Sequence, residues 1–412
     1  MTSNARPRGR QFFFNPGPTN IPDRVLKAMD RATVAFFSEE AVAALTRVHA
    51  ALKRVLKTEQ HLLVYASNGH GAWEAGLVNL FEPGDRLLVV ESGRFSTSWS
   101  EMAASLGYEV ETLTCDWRRG VQADAVEERL RKDAAHAIKG VLVVHNETAT
   151  GMVQPLAGIR RAMDAARHPA FYLVDTISSL ASMDFRMDEW GVDIVVGGSQ
   201  KGLMMTTGLA FTGISKRAMA RSETVKTRRS YWQWAQMLTH KPQRMPGTTP
   251  VHMVFGLEEA LKVLEEEGLE AIFARHQRLA AAVRAAVSHW GDGATSSISV
   301  GAAGFSGPIK AVEILPADLS RASNSVTAVM VPAGSDANAL RKVALDRYNL
   351  SLGGGLGPLN THVFRIGHMG DLNEPMVLGA LATIELSMRV AAVPHASGGV
   401  EAAIRSLEGT AR

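Results

Sequence analysis

Two charged residues that each follow an apolar run are the first candidates for chemistry in this chain. Lys201 ends the stretch IVVGGSQK, which begins at Ile194, and Asp175 ends the stretch AFYLVD, which begins at Ala170. Both runs are typical of buried strands, and the ligands of open α/β sheets bind beyond the carboxyl ends of such strands. At that edge a lysine can form a Schiff base with a carbonyl compound, and an aspartate can pair with a protonated ring nitrogen.

A third candidate feature is the glycine-rich segment SNGHGAW at 67–73, which joins a short apolar strand to a helix. Glycines at such a turn let backbone N–H groups approach an anion, and the helix start adds positive dipole potential. The segment is neither a Walker loop nor a dinucleotide-binding fingerprint. Alone, each feature has a simpler interpretation as a tight turn, a helix cap or a solvated lysine. Together they suit a cofactor with a phosphate, a ring nitrogen and an aldehyde, as in pyridoxal phosphate.

The elements that must position these residues alternate between strands and helices up to about residue 250. Strands are predicted at 62–66, 86–90, 110–115, 138–144, 170–175 and 194–196, and helices near 24–58, 71–81, 96–106, 122–134 and 155–167. This alternation predicts βαβ units in a mostly parallel sheet, to which 208–214 adds an antiparallel strand. The fold class expected from this part of the chain is α/β.

After about residue 250 the pattern changes to that of a smaller α+β domain. Two long helices near 251–267 and 269–290 are followed by a glycine-rich loop at 294–306. Strands at 325–331, 350–352 and 362–366 and helices at 335–346 and 374–391 complete the prediction. We therefore expect four parts, which are an N-terminal arm (1–22), a large α/β domain (23–255), a small α+β domain (256–395) and a tail (396–412).

Composition argues against several other classes of protein. The 412 residues include 44 basic and 41 acidic ones, a near balance that does not favour nucleic-acid binding. The basic and aromatic segment 226–234 is interpreted as a loop at a site entrance. No apolar run reaches the roughly 20 residues that span a membrane, and the one cysteine, Cys115, excludes an internal disulfide. We expect a cytoplasmic protein that binds no nucleic acid, no membrane and no metal ion.

Five motifs, in order, make residues 12–392 resemble the class V (fold type I) pyridoxal phosphate aminotransferases, and among them the serine–glyoxylate and alanine–glyoxylate enzymes. They are NPGPTN at 15–20, HNETATG at 145–151, MDFRMDEWGVD at 183–193, GSQKG at 198–202 and FRIGH at 364–368. The resemblance implies a large domain built on a mostly parallel mixed sheet, a smaller α+β C-terminal domain, and transamination between small amino acids and 2-oxo acids.

The resemblance also implies a role for each matching residue. Lys201 would bind the cofactor through its amine and move the substrate's Cα proton, and Asp175 would keep the ring nitrogen protonated. The remaining cofactor contacts would be Asn68, Gly69, His70 and Gln200 at the phosphate, Phe95 and Ile177 on the two ring faces, and Thr148 beside the ring. Thr248 would reach the phosphate of the neighbouring subunit, which implies a C2 homodimer with shared active sites.

Arg365 is the candidate substrate anchor because it stands in the middle of an apolar strand, where an unpaired charge is costly. Its guanidinium matches a carboxylate through two parallel hydrogen bonds, and every amino acid and 2-oxo acid substrate carries that group. An internal salt bridge is the alternative. Pro16, Gly17 and Gly354 are expected to line the same pocket.

The amino donor stays open at this level. His70 matches the alanine–glyoxylate branch, and Met245 and Gly247 are non-aromatic where an aromatic is common in the family. We favour transfer from L-serine to glyoxylate, which gives hydroxypyruvate and glycine. Alanine or aspartate as donor are close alternatives, a lyase on the same scaffold is a more distant one, and a regulator module that borrows the fold is the non-enzymatic one.

Overall fold

A computed structural model describes residues 9–239, 244–292, 298–299, 308–309 and 311–409. Its strands are β1 (Phe12–Phe14), β2 (His61–Ser67), β3 (Arg86–Glu91), β4 (Glu109–Thr114), β5 (Ile138–Val144), β6 (Asn146–Glu147), β7 (Met152–Val153), β8 (Phe171–Asp175), β9 (Ile194–Gly198), β10 (Gly208–Ile214), β11 (Ile298–Ser299), β12 (Pro308–Ile309), β13 (Glu313–Ile314), β14 (Val326–Met330), β15 (Leu350–Gly354) and β16 (Val363–Gly367).

The helices lie on both faces of one sheet and against a second. They are α1 (Asp23–Met29), α2 (Glu39–Leu56), α3 (Gly69–Leu80), α4 (Arg94–Ser105), α5 (Ala123–Arg131), α6 (Leu156–Ala165), α7 (Lys216–Thr224), α8 (Trp234–Thr239), α9 (Val251–Glu267), α10 (Leu269–Trp290), α11 (Ala337–Tyr348), α12 (Glu374–Val390) and α13 (Gly399–Glu408). None of these helices is both long and apolar enough to cross a membrane.

The first sheet has seven strands in the order β2-β10-β9-β8-β5-β3-β4. Every neighbouring pair is parallel except those of β10, which runs antiparallel to β2 and β9. The central strands β5, β8 and β9 are almost entirely buried because helices cover both faces, and this explains their continuous apolar sequences. The carboxyl ends of β2, β5, β8 and β9 therefore meet at one edge of the sheet.

The second sheet has the order β1-β15-β16-β14-β13 and packs against α10 to α13. Its edge strand β1 comes from the N-terminal segment and pairs in parallel with β15, with Phe12 opposite Leu350. Phe14 is buried in the core of this second sheet. The segment that follows β1 is thereby held between the two sheets, where it reaches Lys201.

Several elements differ from the sequence-based expectations. The helix expected over 24–58 is two helices, and Ser38 caps the second by accepting a hydrogen bond from the N–H of Ala41 at 3.3 Å. The boundary expected at 255/256 falls inside α9, which packs on α1 and α2 in the core of the first sheet. The expected tail contains α13, which packs on α10. The loop expected at 294–306 lies outside the described residues, apart from the strand Ile298–Ser299.

Candidate active site

A pocket of about 250 Å³ lies at the edge where β2, β5, β8 and β9 end. It is lined by Gly17, Pro18, Asn68, Gly69, His70, Trp73, Phe95, Val144, Asn146, Thr148, Asp175, Ile177, Ser178, Gln200, Lys201 and Thr207. The structure thus brings together most of the candidates from the sequence, from six separate segments. Pro16, Gly354, Arg365 and Thr248 are not among these lining residues, although Pro16 adjoins Gly17 and Arg365 donates to the carbonyl oxygen of Thr148.

Lys201 is buried in the loop that follows β9 and carries no ion pair within the part of the chain that the structure describes. Its Nζ donates a hydrogen bond to the carbonyl oxygen of Pro16 at 2.5 Å. Burial lowers the pKa of the amine to about 8, and the positive charge of Arg365 adds to this effect, while Asp175 and Glu147 oppose it. A buried amine that loses its proton this readily suits nucleophilic and proton-transfer chemistry.

Asp175 ends β8 and is held by two donors, one on each carboxylate oxygen. The N–H of Ile177 donates to Oδ1 at 2.6 Å, and the indole Nε1 of Trp73 donates to Oδ2 at 2.8 Å. Burial raises the pKa of this carboxyl to about 7, with a further contribution from Glu147, although the two donors and Lys201 oppose the rise. A cationic ring nitrogen in the pocket would stabilise the ionised carboxylate, which has no cationic hydrogen-bond partner among the residues that the structure describes.

The start of α3 carries the residues that are expected to form the anion cradle. The side chain of Asn68 caps this helix by accepting a hydrogen bond from the N–H of His70 at 3.1 Å. A Cβ at Gly69 would overlap Cδ1 of Ile177, so only glycine lets the helix start approach this wall of the pocket. Burial lowers the pKa of His70, which favours its neutral form. Gln200 lines the same pocket, and its buried Oε1 has no hydrogen-bond partner among the described residues.

The basic and aromatic segment 226–234 packs against the outer side of this cradle. Trp232 contacts the ring of Tyr65 edge-on, and a Cβ at Gly71 would lie 2.8 Å from the Trp232 indole. The indole of Trp234 donates to the hydroxyl of Tyr65 at 2.8 Å. Arg229 donates to backbone carbonyls, among them that of Thr227 at 3.0 Å. These aromatic and basic side chains are therefore largely engaged in packing.

Phe95 and Thr148 belong to two separate segments of the lining. Phe95 stands in the first turn of α4, and Thr148 follows β6. The hydroxyl of Thr148 donates to Oγ of Ser178 at 2.7 Å, which in turn donates to the carbonyl oxygen of Asn146 at 2.7 Å. Since the Thr148 hydroxyl already donates, it offers the pocket an acceptor.

Arg365 is buried in β16, and within the described part of the chain it donates only to backbone carbonyls, those of Gly354 at 2.7 Å and Thr148 at 3.0 Å. No carboxylate of the described residues forms an ion pair with it, so the expected internal salt bridge is not seen in that part of the chain. Burial lowers the pKa of the guanidinium to about 10, which leaves it charged at neutral pH. A buried cation without a counter-ion is available to a ligand carboxylate.

Thr248 does not line the pocket of its own chain. It is exposed, between the exposed Gly247 and the buried Thr249. Met245, the position where an aromatic was expected, is buried in the core of the first sheet. The exposure of Thr248 leaves it free to meet another molecule.

Four further residues at the pocket were not singled out from the sequence. Trp73 and Asn146 belong to motifs but gave no local signal, because their partners Asp175 and Ser178 are 102 and 32 positions away. Ser178 has no distinguishing pattern around it. Glu147 lies directly behind Phe95 and Thr148, and its only signal was its place in the motif HNETATG.

A family model described as aminotransferase class-V matches residues 11–303. The chain belongs to the class-V aminotransferases. This aminotransferase is 42% identical over 394 residues to the L-aspartate–glyoxylate aminotransferase of Paracoccus denitrificans, over 95% of this chain and 94% of that one. It is 40% identical over 395 residues to the serine–glyoxylate aminotransferase of Methylorubrum extorquens, over 94% and 93% of the two chains. The solved pyridoxamine–pyruvate aminotransferase from Mesorhizobium loti superposes with a TM-score of 0.87 at 26% identity and full coverage of both chains.

These findings confirm the expected family, the fold type I architecture and the cofactor, so the protein is a pyridoxal phosphate-dependent aminotransferase. The residues that line the pocket of this aminotransferase also fit pyridoxal phosphate independently of these similarities. Lys201 would supply a buried amine for its aldehyde and Asp175 a buried carboxylate for its ring nitrogen, while the N–H groups at the start of α3 and the amide N–H₂ of Gln200 can donate to its phosphate. When bound, pyridoxal phosphate supplies the electron sink that stabilises a negative charge on the substrate's Cα.

The Gly17→Ala variant of this aminotransferase is expected to bind its cofactor roughly 10- to 100-fold more weakly. A Cβ at Gly17 would overlap the Cδ, Cε and Nζ atoms of Lys201, and Gly17 has a φ of +113°. Gly84→Ala is the matched control, because Gly84 has a φ of +90° and open space around its Cα. To check the prediction, the cofactor is removed from both variants and its dissociation constants are measured by absorbance titration. Equal weakening in both variants would contradict it.

Proposed function

We propose that this aminotransferase transfers the amino group of L-serine to glyoxylate, which gives hydroxypyruvate and glycine. The observation that carries the proposal is the buried Arg365, which has no ion pair among the described residues and lies beside a small pocket that contains Lys201 and Asp175. A guanidinium in this position suits the α-carboxylate that all amino acid and 2-oxo acid substrates share. The small pocket, which also has to hold the cofactor, favours an acceptor as short as glyoxylate. The names of the relatives at about 40% identity support glyoxylate as the acceptor.

In this proposal each residue acts on a particular group of the substrate or the cofactor. Arg365 binds the substrate carboxylate and so presents Cα to Lys201. The neutral amine of Lys201 takes the proton from Cα of the donor. In the second half-reaction it returns a proton to Cα of the new amino acid. Asp175, once ionised, holds a proton on the cofactor's ring nitrogen. Donor and acceptor use the same carboxylate anchor in turn, so the kinetics are of the ping-pong type.

The lining of the pocket favours serine over aspartate as the donor. Among the described lining residues, Lys201 is the one basic group apart from His70, whose lowered pKa favours its neutral form. A second substrate carboxylate therefore meets no free cation in this lining, whereas a serine hydroxyl meets polar side chains such as Ser178 and Thr207. Aspartate is the second candidate donor because the relative from Paracoccus denitrificans, at 42% identity, is an L-aspartate–glyoxylate aminotransferase.

A half-reaction assay distinguishes these donors. The purified enzyme is mixed with serine, aspartate or alanine without any acceptor, and the decay of the cofactor's visible absorbance is followed. We expect the fastest decay with serine, together with hydroxypyruvate as the released product. Faster decay with aspartate or alanine would show that the donor is wrong, and release of ammonia without an acceptor would indicate a lyase.

We also propose that the protein is a C2 homodimer in which Thr248 contacts the cofactor phosphate of the partner subunit. The support is the exposure of Thr248, its absence from the pocket of its own chain, and the open space around Gly247 beside it. Each active site would then need residues from two chains.

Mixed dimers test this sharing of sites. Lys201→Ala and Thr248→Glu are each expected to be nearly inactive, the second because its carboxylate repels the phosphate. Co-refolding the two variants should restore on the order of a quarter of the wild-type activity, since half of the random dimers are hybrids and each hybrid has one intact site. If Thr248 acts in its own chain, no hybrid has an intact site and no activity returns.

A further inference from the structure

Glu147 is a buried carboxylate that the roles described above do not use. Its exposed fraction is 0%, and no basic side chain of the described residues pairs with it. Burial raises the pKa of this carboxyl, while backbone N–H donors and the charge of Arg365 oppose the rise. A buried acid that is kept without an ion pair is costly, so its surroundings indicate what it does.

The hydrogen bonds of Glu147 join two segments of the pocket wall. Its Oε2 accepts from the N–H groups of Phe95 at 3.0 Å and Ser96 at 3.1 Å, in the first turn of α4. Its Oε1 accepts from the N–H of Ala149 at 3.0 Å. One carboxylate thus connects the turn that carries Phe95 with the turn that carries Thr148, and both of these residues line the pocket.

The contact with α4 is also close on the other side. A Cβ at Gly93 would overlap Cγ of Glu147, so glycine at this position lets the carboxylate reach the helix start. The N-terminal end of a helix stabilises a negative charge. The Glu147 side chain is therefore held both by the N–H groups of α4 and by its close contact with Gly93.

Glu147 also belongs to a set of four buried charges. The others are Asp175, Lys201 and Arg365, and none of the four forms an ion pair with any other described residue. Glu147 raises the pKa of Lys201 and of Asp175, whereas Arg365 lowers that of Lys201. When all four groups are ionised, two positive and two negative charges balance, and without Glu147 that state would carry one excess positive charge.

We propose that Glu147 is a positioning residue of the active site, which fixes Phe95 and the Thr148 turn against the cofactor and balances the charges of Lys201 and Arg365. The competing explanation is a purely structural helix cap. Glu385 is such a cap in the second sheet's core, because it is buried and accepts from the N–H groups of Gly398 and Gly399 at the start of α13. Glu385 also accepts from the indole of Trp290 and pairs with Arg389, and it serves as the control for a buried capping carboxylate in the second core.

The experiment compares the holoenzymes of wild type, Glu147→Gln and Glu385→Gln by cofactor dissociation constant and by the pH dependence of the cofactor's visible absorbance. Glutamine has one acceptor oxygen and no charge, so it cannot serve both the α4 turn and Ala149. We expect Glu147→Gln to weaken cofactor binding about 10- to 100-fold. The pH midpoint of its absorbance change should be lower than that of wild type. The reason is that the nitrogen of Lys201 loses its proton more easily once a nearby negative charge is removed.

Glu385→Gln should lower the melting temperature and leave both cofactor measurements unchanged. If Glu147→Gln matches wild type or Glu385→Gln in both, Glu147 is an ordinary cap and the inference is wrong. Should Glu147→Gln fail to fold, Glu147→Asp decides, since it keeps the charge but shortens the reach. Weaker cofactor binding with an unchanged midpoint then supports the inference, and wild-type binding overturns it.

The inference rests on the proposed roles of Lys201 and Phe95 and is independent of the amino donor. If the Lys201→Ala variant keeps the visible absorbance of the wild type, the proposed site itself is wrong. A Glu147→Gln variant equal to wild type contradicts this inference alone.

Discussion

Replacing Lys201 by alanine is expected to lower the rate of transamination by on the order of 10³-fold or more, and to remove the visible absorbance of covalently bound cofactor. The reason is the protonation state of its amine. With a pKa of about 8, roughly one amine in ten is neutral at pH 7, against about one in three thousand at the ordinary value of 10.5. Burial therefore supplies a neutral base that no exposed lysine matches.

The control for this prediction is Lys216→Ala, which removes an exposed lysine at the start of α7. It should leave both the rate and the absorbance unchanged. Rates are compared at saturating cofactor, so that weaker binding is not mistaken for lost chemistry. A Lys201→Ala protein with wild-type turnover would remove the centre of the proposed site.

The sequence was sufficient to predict which strand ends would meet. Asp175 and Lys201 follow apolar runs that form β8 and β9, adjacent parallel strands of the first sheet. Parallel strands place their carboxyl ends at one edge of the sheet. The proximity of two charged residues that follow two such runs can therefore be predicted without knowing any side-chain contact. The glycines of the cradle were visible for the same reason, because they follow β2.

Residues whose role depends on distant partners were not predictable from local pattern. Glu147 accepts from Phe95 and Ser96, which precede it by 52 and 51 positions, and no periodicity records that contact. The strand β1 lies in the segment that was expected as an N-terminal arm, and its pairing with β15, which spans most of the chain, leaves no local pattern. In the same way α9 looked like the start of a second domain, although its apolar face packs on α1 and α2.

Asp175→Asn is expected to lower kcat roughly 10²–10³-fold and to change KM little, because the charge it removes acts mainly while negative charge develops on the substrate. Asparagine keeps the size of the side chain and can accept from either Ile177 or Trp73. It cannot keep a proton on the cofactor's ring nitrogen. Burial already raises the pKa of Asp175 to about 7, so the carboxylate depends on that cation to stay ionised below neutral pH.

The matched control is Asp133→Asn. Asp133 is likewise buried and accepts from the N–H groups of Ile138 at 2.7 Å and Ala137 at 3.1 Å and from a ring nitrogen of His168 at 3.1 Å, beside the start of β5, whereas the pocket lies where that strand ends. Its replacement should lower the melting temperature and leave kcat unchanged, because it lies away from the reacting atoms. Steady-state kcat and KM for both variants, at saturating cofactor, separate the two effects. If Asp175→Asn keeps kcat within about twofold of wild type, the carboxylate is a structural acceptor for Trp73 and Ile177, and its proposed electronic role is wrong.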